Sequence, residues 1–150
     1  MKTVIQRVEK ASVTIDEKVH SAIGNGLVIL LGVEKGDTEE SLHYLVRKIA
    51  QMRIFEDGQG KMNLSIKDVQ GEALVVSQFT LLADCQRGNR PSFTSAEEPK
   101  QAEAMYKRFA SALDEAGVPV KTGVFGAMMK VNLTNDGPVT IIIESKISKE

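Results

Sequence analysis

The segment LVILLGVEKGDTEESLHYLVRKIAQM, residues 27–52, changes its hydrophobic period part-way along. It opens with an apolar run of the kind that fills a strand buried on both faces. From Leu42 onward the apolar residues recur three and four positions apart, which predicts an amphipathic helix over residues 38–52. Asp37 and Glu40 are placed as its N-cap and the N3 partner of that cap. The segment therefore predicts a buried strand followed by a helix that covers the sheet.

Strand and turn signals on either side extend this pattern to the order βββ-α-β-α-ββ. The predicted strands cover residues 3–15, 19–23, 27–33, 73–82 and 120–145, and a second helix runs from Pro99 at N1 to Gly117 at C′. No repeat, low-complexity tract or linker divides the chain. We therefore predict a single domain over residues 1–150, of the α+β class, with a mainly antiparallel sheet covered on one face by helices.

Composition and charge limit the classes of function. The chain has 150 residues, of which 42% are hydrophobic and 26% charged, values typical of a globular domain and not of a disordered or fibrous chain. No apolar run approaches the roughly 20 residues that cross a bilayer, so we expect a cytoplasmic protein without a membrane partner. The single cysteine, Cys85, excludes an internal disulfide. Because the net charge is −1, any nucleic acid must be held locally.

Few side chains in this sequence are arranged for acid–base or nucleophilic chemistry. His20 and His43 lie in no recognisable triad, and no carboxylate cluster or glycine-rich phosphate loop is present, so neither a metal nor a cofactor is expected. The predicted strand ALVVSQFTLL does carry Ser77, Gln78 and Thr80 in an apolar run, and their polar groups need partners or a ligand. Strand alternation places Gln78 and Thr80 on one face and Ser77 on the other. A polar sheet face explains these residues as well as a site does.

Two other polar segments also admit both a structural and a functional interpretation. The loop DCQRGNRPSFT, residues 84–94, carries Arg87, Arg90 and Phe93, which suit RNA phosphates and a stacked base. A solvated connector would have the same composition. The stretch NDGPVT, residues 135–140, is an ordinary turn by its glycine and proline. Local pattern alone leaves both questions open.

Several long strings, taken together, identify a family. They are TVIQRV, LLGVEKGDTEE, RIFEDGQGKMNLS, VVSQFTLLAD, RPSF and NDGPVT, in this order along the chain. On these strings the chain resembles the D-aminoacyl-tRNA deacylases, the chiral proofreading enzymes of translation, over essentially its whole length. The resemblance implies a barrel-like sheet with two main helices. It also implies an enzyme that hydrolyses the ester bond of D-aminoacyl-tRNA to free D-amino acid and tRNA.

The resemblance places the site in two signatures, the first being SQFTL at residues 77–81 and the second NDGPVT at residues 135–140. The implied residues are Ser77, Gln78, Phe79 and Thr80 for catalysis, Gly137 and Pro138 for substrate chirality, and Arg7, Asn135 and Thr140 in support. It further implies that the Gly-Pro bond is cis. The enzyme would be a homodimer, in which the Gly-Pro motif of one subunit reaches into the pocket of the other.

The family's mechanism follows from these roles. The Gly-Pro backbone leaves no room for the side chain of an L-aminoacyl group, whereas a D-residue fits, as does glycine mischarged on tRNA(Ala). The 2′-OH of the terminal ribose assists the attacking water, and the backbone N–H groups of Phe79 and Thr80 are oxyanion candidates. An older view makes Thr80 the nucleophile, but the sequence shows no base for it. Candidates for phosphate contacts at the acceptor end of the tRNA are Arg87, Arg90, Lys61 and Lys130.

Two other functions compete with this one. An editing domain of related fold, as in the threonyl-tRNA synthetases of some archaea, would act on an L-aminoacyl ester. It is disfavoured because the chain is free-standing and carries the Gly-Pro signature. A non-catalytic RNA-binding module would keep both signatures as structural elements only, and it would bind tRNA without hydrolysing the ester.

Overall fold

The computed structural model describes residues 1–145. The strands are β1 (Lys2–Ile15), β2 (Lys18–Ile23), β3 (Gly26–Gly32), β4 (Phe55–Glu56), β5 (Met62–Leu64), β6 (Glu72–Ser77), β7 (Val120–Thr122) and β8 (Lys130–Glu144), and the helices are α1 (Glu39–Gln51) and α2 (Pro99–Glu115). A short 3₁₀ turn, Phe79–Leu82, follows β6. None of the helices in residues 1–145 is long and apolar enough to cross a membrane. The predicted α+β class is confirmed.

Strand β1 lies at the centre of the main sheet. One edge of β1 pairs antiparallel with β3 over its first half, where Ile5 faces Ile29, and with β2 over its second half, where Val13 faces Ser21. The other edge pairs antiparallel with β8 along nearly its whole length. Within the described residues β8 pairs with β1 alone, so β8 forms an edge of the sheet.

Two pairs in the sheet are parallel, which the prediction of a mainly antiparallel sheet did not include. They are β3 with β6 and β6 with β7. Parallel neighbours need a long crossover, and α1 and α2 each lie in one of these two connections. Gly26 permits the close approach of β3 to β6, because a Cβ there would lie 1.7 Å from the carbonyl oxygen of Glu72.

Side-chain hydrogen bonds bring the far ends of the sheet together. Ser21 Oγ in β2 donates to the carbonyl oxygen of Thr122 in β7 at 2.9 Å. Lys121 Nζ in β7 donates to the carbonyl oxygen of Ala22 at 2.8 Å. The sheet therefore curls until β2 lies beside β7, and the barrel-like shape implied by the resemblance is confirmed.

Two apolar clusters hold the structure together. The larger packs both helices on the sheet and includes the fully buried Leu45 and Ile49 of α1 and Phe109 and Leu113 of α2. The smaller joins β1, β2, β3 and β6. Each fully buried side chain of this size contributes about 1.5–3 kcal/mol. The clusters fix the sheet that carries both signatures.

The helix ends test the sequence predictions of capping. Helix α2 begins with Pro99 at N1, and Gly117 just past its end has φ +98°, as predicted. The predicted N-cap of α1 is wrong by one residue, because Thr38 caps the helix and Ser41 completes the capping box. Asp37 instead accepts from the Glu34 N–H at 2.7 Å, an interaction that holds the turn before the helix.

Tyr106 of α2 ties this helix to the sheet. Its hydroxyl donates to the carbonyl oxygen of Val75 at 3.1 Å and lies 3.5 Å from that of Gly123. Burial raises the pKa of Tyr106 above its usual value, because the phenolate would lose its hydration.

We expect Tyr106→Phe to lower the free energy of unfolding by about 1 kcal/mol at neutral pH, since one buried hydrogen bond is lost. The tyrosine's pKa is higher in the folded than in the unfolded state, so its contribution is complete below about pH 10 and is lost as pH rises through the folded pKa. Urea unfolding of both proteins between pH 8 and pH 11 measures this. If the difference in unfolding free energy between the two proteins stays constant above pH 10, the buried Tyr106 hydroxyl does not have a raised pKa.

Candidate active site

The first signature lies where β6 leaves the sheet. Ser77 is the last residue of the strand and pairs with Leu31, and the Gln78 N–H donates to the Leu31 carbonyl at 2.8 Å. The predicted strand over 73–82 is therefore wrong beyond Ser77. Gln78 has φ −145° and ψ 80°, and the chain then enters the 3₁₀ turn. Strand alternation does not apply to Phe79 and Thr80.

The 3₁₀ turn leaves two backbone donors at its start. The N–H groups of Phe79 and Thr80 have no recorded acceptor in residues 1–145, as is usual for the first residues of a helical turn. The Gln78 side-chain amide donates to Thr80 Oγ1, so these two side chains do lie together. The segment thus combines free N–H groups with a hydrogen-bonded Gln–Thr pair.

Phe79, the first residue of this turn, forms an aromatic pair with a residue outside the turn. The ring of Phe79 is 54% exposed and packs against Phe93, with centroids 5.2 Å apart and an interplanar angle of 71°. Sequence analysis had noted Phe93 only as an aromatic residue near two arginines. Its contact with the turn joins residues far apart in the chain, and no local pattern indicates it.

The second signature is a bulge in β8. Asn135 pairs with Val8 and Thr140 pairs with Gln6, so the four residues between them face the single residue Arg7. The Gly137–Pro138 peptide bond is cis. Gly137 has φ +134°, and a Cβ there would lie 2.8 Å from Val139 Cγ2. Glycine is therefore required at this position.

Asn135 and Thr140 brace the two ends of this bulge. Asn135 Oδ1 accepts from the Val139 N–H at 3.0 Å, and Asn135 Nδ2 donates to Thr140 Oγ1 at 3.4 Å. Gln6 Nε2 donates to the same hydroxyl at 3.3 Å. The Asn-x-Gly-Pro-x-Thr spacing thus closes a hydrogen-bonded loop around Gly137 and Pro138. Sequence reasoning missed Gln6, which lies on another strand.

Arg7 is buried beneath the bulge, with 4% of its surface exposed. Its Nε donates to the carbonyl oxygen of Asp136 at 3.0 Å and lies 3.5 Å from the Asp136 carboxylate. Its Nη1 donates to the carbonyl oxygen of Ile54 at 2.7 Å. The arginine is not a surface charge. It connects the residue before Gly137 to the segment that leads into β4, and Asp136 and Ile54 are partners that the sequence did not reveal.

Register separates the two signatures within one chain. Ser77 pairs with Leu31, which pairs with Thr3, whereas the bulge faces Arg7 four residues further along β1. At roughly 3.3 Å per residue this is about 13 Å along the strand. The bulge and β6 also lie three strands apart, which adds up to about 14 Å across the sheet. The structure does not bring them together in one chain.

The two histidines lie outside both signatures. His43 Nε2 is 3.3 Å from Glu39 on α1, and hydrogen bonds from Arg108 lower the pKa of Glu39. His20 is exposed on β2. In residues 1–145, no three His, Cys, Asp or Glu side chains form a cluster that could hold a metal. The chemistry available at the site is therefore that of backbone N–H groups, a hydroxyl and an amide.

The candidate phosphate contacts are distributed unevenly. Arg87 and Arg90 are exposed in the loop that follows the 3₁₀ turn. Lys61 precedes β5 in the hairpin beside the Arg7 anchor, and Lys130 pairs with Thr14 at the far end of β1. Only the two arginines adjoin the first signature along the chain.

Known proteins match this chain over most of its length. A profile of the D-Tyr-tRNA(Tyr) deacylase family matches residues 4–144. The D-aminoacyl-tRNA deacylase of Persephonella marina (strain DSM 14350 / EX-H1) is 59% identical over 146 residues, covering 97% of this chain and 99% of that protein. The D-aminoacyl-tRNA deacylase of Thermotoga petrophila (strain ATCC BAA-488 / DSM 13995 / JCM 10881 / RKU-1) is 54% identical over 145 residues, covering 97% of each.

Solved structures agree on the fold. The protein named c-Myc DNA Unwinding Element Binding Protein superposes with a TM-score of 0.92 at 46% identity, covering 98% of this chain and 100% of that one. A probable eukaryotic D-amino acid tRNA deacylase superposes with a TM-score of 0.81 at 18% identity, covering 95% and 98%. With a profile matched over residues 4–144 and deacylase relatives at 54% and 59% identity, the chain belongs to the D-Tyr-tRNA(Tyr) deacylase family of hydrolases.

Proposed function

We propose that this enzyme proofreads chirality in the cytoplasm, by hydrolysing D-aminoacyl-tRNA to free D-amino acid and tRNA. The observation that carries the proposal is the coexistence of two complete family signatures with a site that has no side-chain base. The substrate is an activated ester, which needs placement and charge stabilisation more than a strong nucleophile. Backbone N–H groups and the ribose of the substrate can supply both.

Hydrolysis then proceeds by direct attack of water. A water oxygen bonds to the ester carbonyl carbon, and the carbonyl oxygen takes up negative charge facing the N–H groups of Phe79 and Thr80. The C–O bond to the 3′-oxygen breaks, and this oxygen leaves with the proton that the water gave up. The neighbouring 2′-OH orients the water and relays that proton. Thr80 is not the nucleophile in this scheme, because its recorded partner is the Gln78 amide, which donates and cannot act as a base.

Chirality is selected by exclusion. The backbone of Gly137 and Pro138 occupies the space that an L-side chain would need, while a D-side chain points away from it. Glycine has no side chain to exclude, so glycyl-tRNA(Ala) is a substrate as well. Arg7 holds Asp136 and Asn135 holds Val139, so the motif keeps its position on both sides. Selectivity of this kind does not depend on the identity of the side chain.

The enzyme works as a homodimer in this proposal. Two observations support it. Ser77 and the bulge are separated along and across the sheet in one chain. Among residues 1–145, no strand pairs with the outer edge of β8, and this strand exposes Ile142 at 61% and Val131 at 36%. A second copy that covers this edge buries apolar surface and places its own Gly-Pro motif in the pocket.

We expect the enzyme to hydrolyse D-tyrosyl-tRNA about 1000-fold faster than L-tyrosyl-tRNA, a difference of about 4 kcal/mol in transition-state free energy. With a 2′-deoxyadenosine terminus, the rate on the D-substrate should fall about 100-fold. The Thr80→Val variant should stay within about tenfold of wild type. Single-turnover hydrolysis at fixed salt measures all three rates. Binding of tRNA without hydrolysis would favour an RNA-binding module, and preference for an L-ester would favour a synthetase-type editing domain.

A heterodimer tests the cross-subunit motif. One chain carries Phe79→Pro, which disables its own pocket, and the other carries Gly137→Ala, which alters its motif. The only working pocket then receives the unaltered motif of the Phe79→Pro chain. We expect tandem-tagged heterodimers to regain most of the wild-type preference for the D-substrate, compared with Gly137→Ala homodimers. A D/L rate ratio that stays at the Gly137→Ala value would show that the motif serves its own pocket.

A further inference from the structure

The loop that follows the 3₁₀ turn is closed at its base. Asp84 and Ser92 exchange two backbone hydrogen bonds, of 2.7 and 2.9 Å, so the residues between them project as one unit. Asp84 Oδ1 accepts from the Gln86 N–H at 3.0 Å and turns the chain as it enters the loop. We name residues 84–92 the arginine loop. The arginine loop begins two residues after the last residue of the candidate catalytic turn.

Two further contacts fix the arginine loop to that turn. Phe93 packs its ring against Phe79, and Ser95 Oγ donates to the carbonyl oxygen of Leu82 at 3.4 Å. Both partners, Phe79 and Leu82, belong to the 3₁₀ turn. The segment that follows the arginine loop is therefore joined to the turn that carries the oxyanion candidates.

The arginine loop carries two arginines and a single acidic residue, Asp84, at its base. Arg87 and Arg90 are exposed, and neither takes part in an ion pair within residues 1–145. Between residues 85 and 96 the sequence has no acidic side chain. This local positive charge stands out in a chain whose net charge is −1. Free guanidinium groups on a fixed loop are suited to phosphate oxygens, which they bind in a bidentate manner.

The acidic groups nearby restrict where a phosphate can lie. Glu34 and Asp84 line a cavity of about 290 Å³ at the base of the arginine loop, together with the Lys2–Glu144 ion pair. Negative charge there repels a phosphate, so contact is confined to the outer part of the loop. The Phe79 ring remains 54% exposed after packing on Phe93 and offers an aromatic surface to a base.

We propose that the arginine loop binds the phosphates of the single-stranded 3′ end of the substrate RNA, with Arg87 and Arg90 as the contacting residues. The inference rests on the proposed deacylase function and assigns to it a binding subsite. Guanidinium groups on a loop anchored to the 3₁₀ turn hold the strand while its terminal ester meets the Phe79 and Thr80 N–H groups. The contact is to the backbone, so it does not depend on RNA sequence.

The test compares two substrates, D-tyrosyl-tRNA and D-tyrosyl-adenosine, which has no phosphate. Arg87→Gln/Arg90→Gln should lower kcat/KM on the tRNA at least tenfold and leave the rate on the nucleoside ester unchanged. The slope of log(kcat/KM) against log[salt] should become shallower by about 1.4, the value for two contacts to a single strand. The matched control, Lys18→Gln/Arg47→Gln, removes the same charge from the start of β2 and from α1 and should change neither.

The remaining outcomes are distinguishable. Equal salt slopes and rates for the variant and an active wild type would overturn the subsite and leave the deacylase function standing. Equal losses on both substrates would assign the arginines a structural role and also overturn the subsite. A wild type that hydrolyses neither substrate would overturn the deacylase function itself.

Discussion

Replacing Phe79 with proline is expected to lower kcat for D-aminoacyl-tRNA hydrolysis by about 100- to 1000-fold, the usual cost of losing one oxyanion donor. Proline removes the N–H of Phe79 together with its ring, and its own backbone geometry fits this position. Residue 79 is the first of the 3₁₀ turn, where φ near −65° is normal and the N–H is not needed for the turn itself. The preceding Gln78, with φ −145° and ψ 80°, lies outside the α region that a following proline disfavours.

Phe79→Ala is the matched control for this experiment. It loses the same ring and its contact with Phe93, but it keeps the N–H. We expect its kcat to remain within about tenfold of wild type, with KM raised because the aromatic surface for a base is gone. Similar kcat values for the two variants would show that the Phe79 N–H does not stabilise the transition state. Circular dichroism and thermal unfolding of both variants check that the turn is preserved.

The second large effect is expected at Gly137. Gly137→Ala should reduce the ratio of D- to L-tyrosyl-tRNA hydrolysis by about 100-fold, or about 3 kcal/mol of discrimination. Alanine is strained at φ +134°, and its Cβ would lie 2.8 Å from Val139 Cγ2 and 3.0 Å from the Val139 nitrogen. The backbone has to shift to relieve these contacts. A shifted motif no longer fills the space from which an L-side chain is excluded.

Gly60→Ala is a matched control for backbone strain. Gly60 has φ +74°, and no atom lies within 4 Å of an added Cβ. This substitution should cost about 1 kcal/mol of stability and leave the D/L ratio unchanged. Rates on both substrates are measured for the two variants under the same conditions. They distinguish a general effect of backbone strain from an effect specific to residue 137. An unaltered D/L ratio in Gly137→Ala would remove the motif from the selection of chirality.

Sequence reasoning succeeded where the determining interactions are local. Pro99 and Gly117 fix the ends of α2 because the preference of each depends on its own φ and N–H. The same reasoning failed at the end of β6, where SQFTLL keeps the composition of a strand. The chain leaves the sheet there after Gln78 makes its last backbone hydrogen bond with Leu31. Leu31 lies on another strand, and its position cannot be inferred from the sequence of the segment.

In the candidate site, too, features fixed by local sequence could be predicted and features fixed by distant residues could not. Its signature residues were assigned from whole strings that resemble a family, because spacing alone left both signatures open. The partners of Arg7 could not be predicted, since Ile54 and Asp136 meet it only when three distant segments fold together. The parallel pairing of β3 with β6 was missed for a related reason. An apolar run predicts burial but not the direction of its neighbour.

The position of the bulge within β8 has a consequence for its dynamics. Strand pairing with β1 continues on both sides of Gly137 and Pro138, from Lys130 to Asn135 and from Thr140 to Glu144. Pairing on both sides therefore keeps the motif in place when the end of β8 frays, and the paired amides that flank it open only when β8 separates from β1. Many functional loops belong to the least stable parts of a protein. Here the residues that we propose to select the enantiomer are flanked on both sides by paired residues of the central sheet, so we expect slow exchange of the flanking amides to accompany accurate selection.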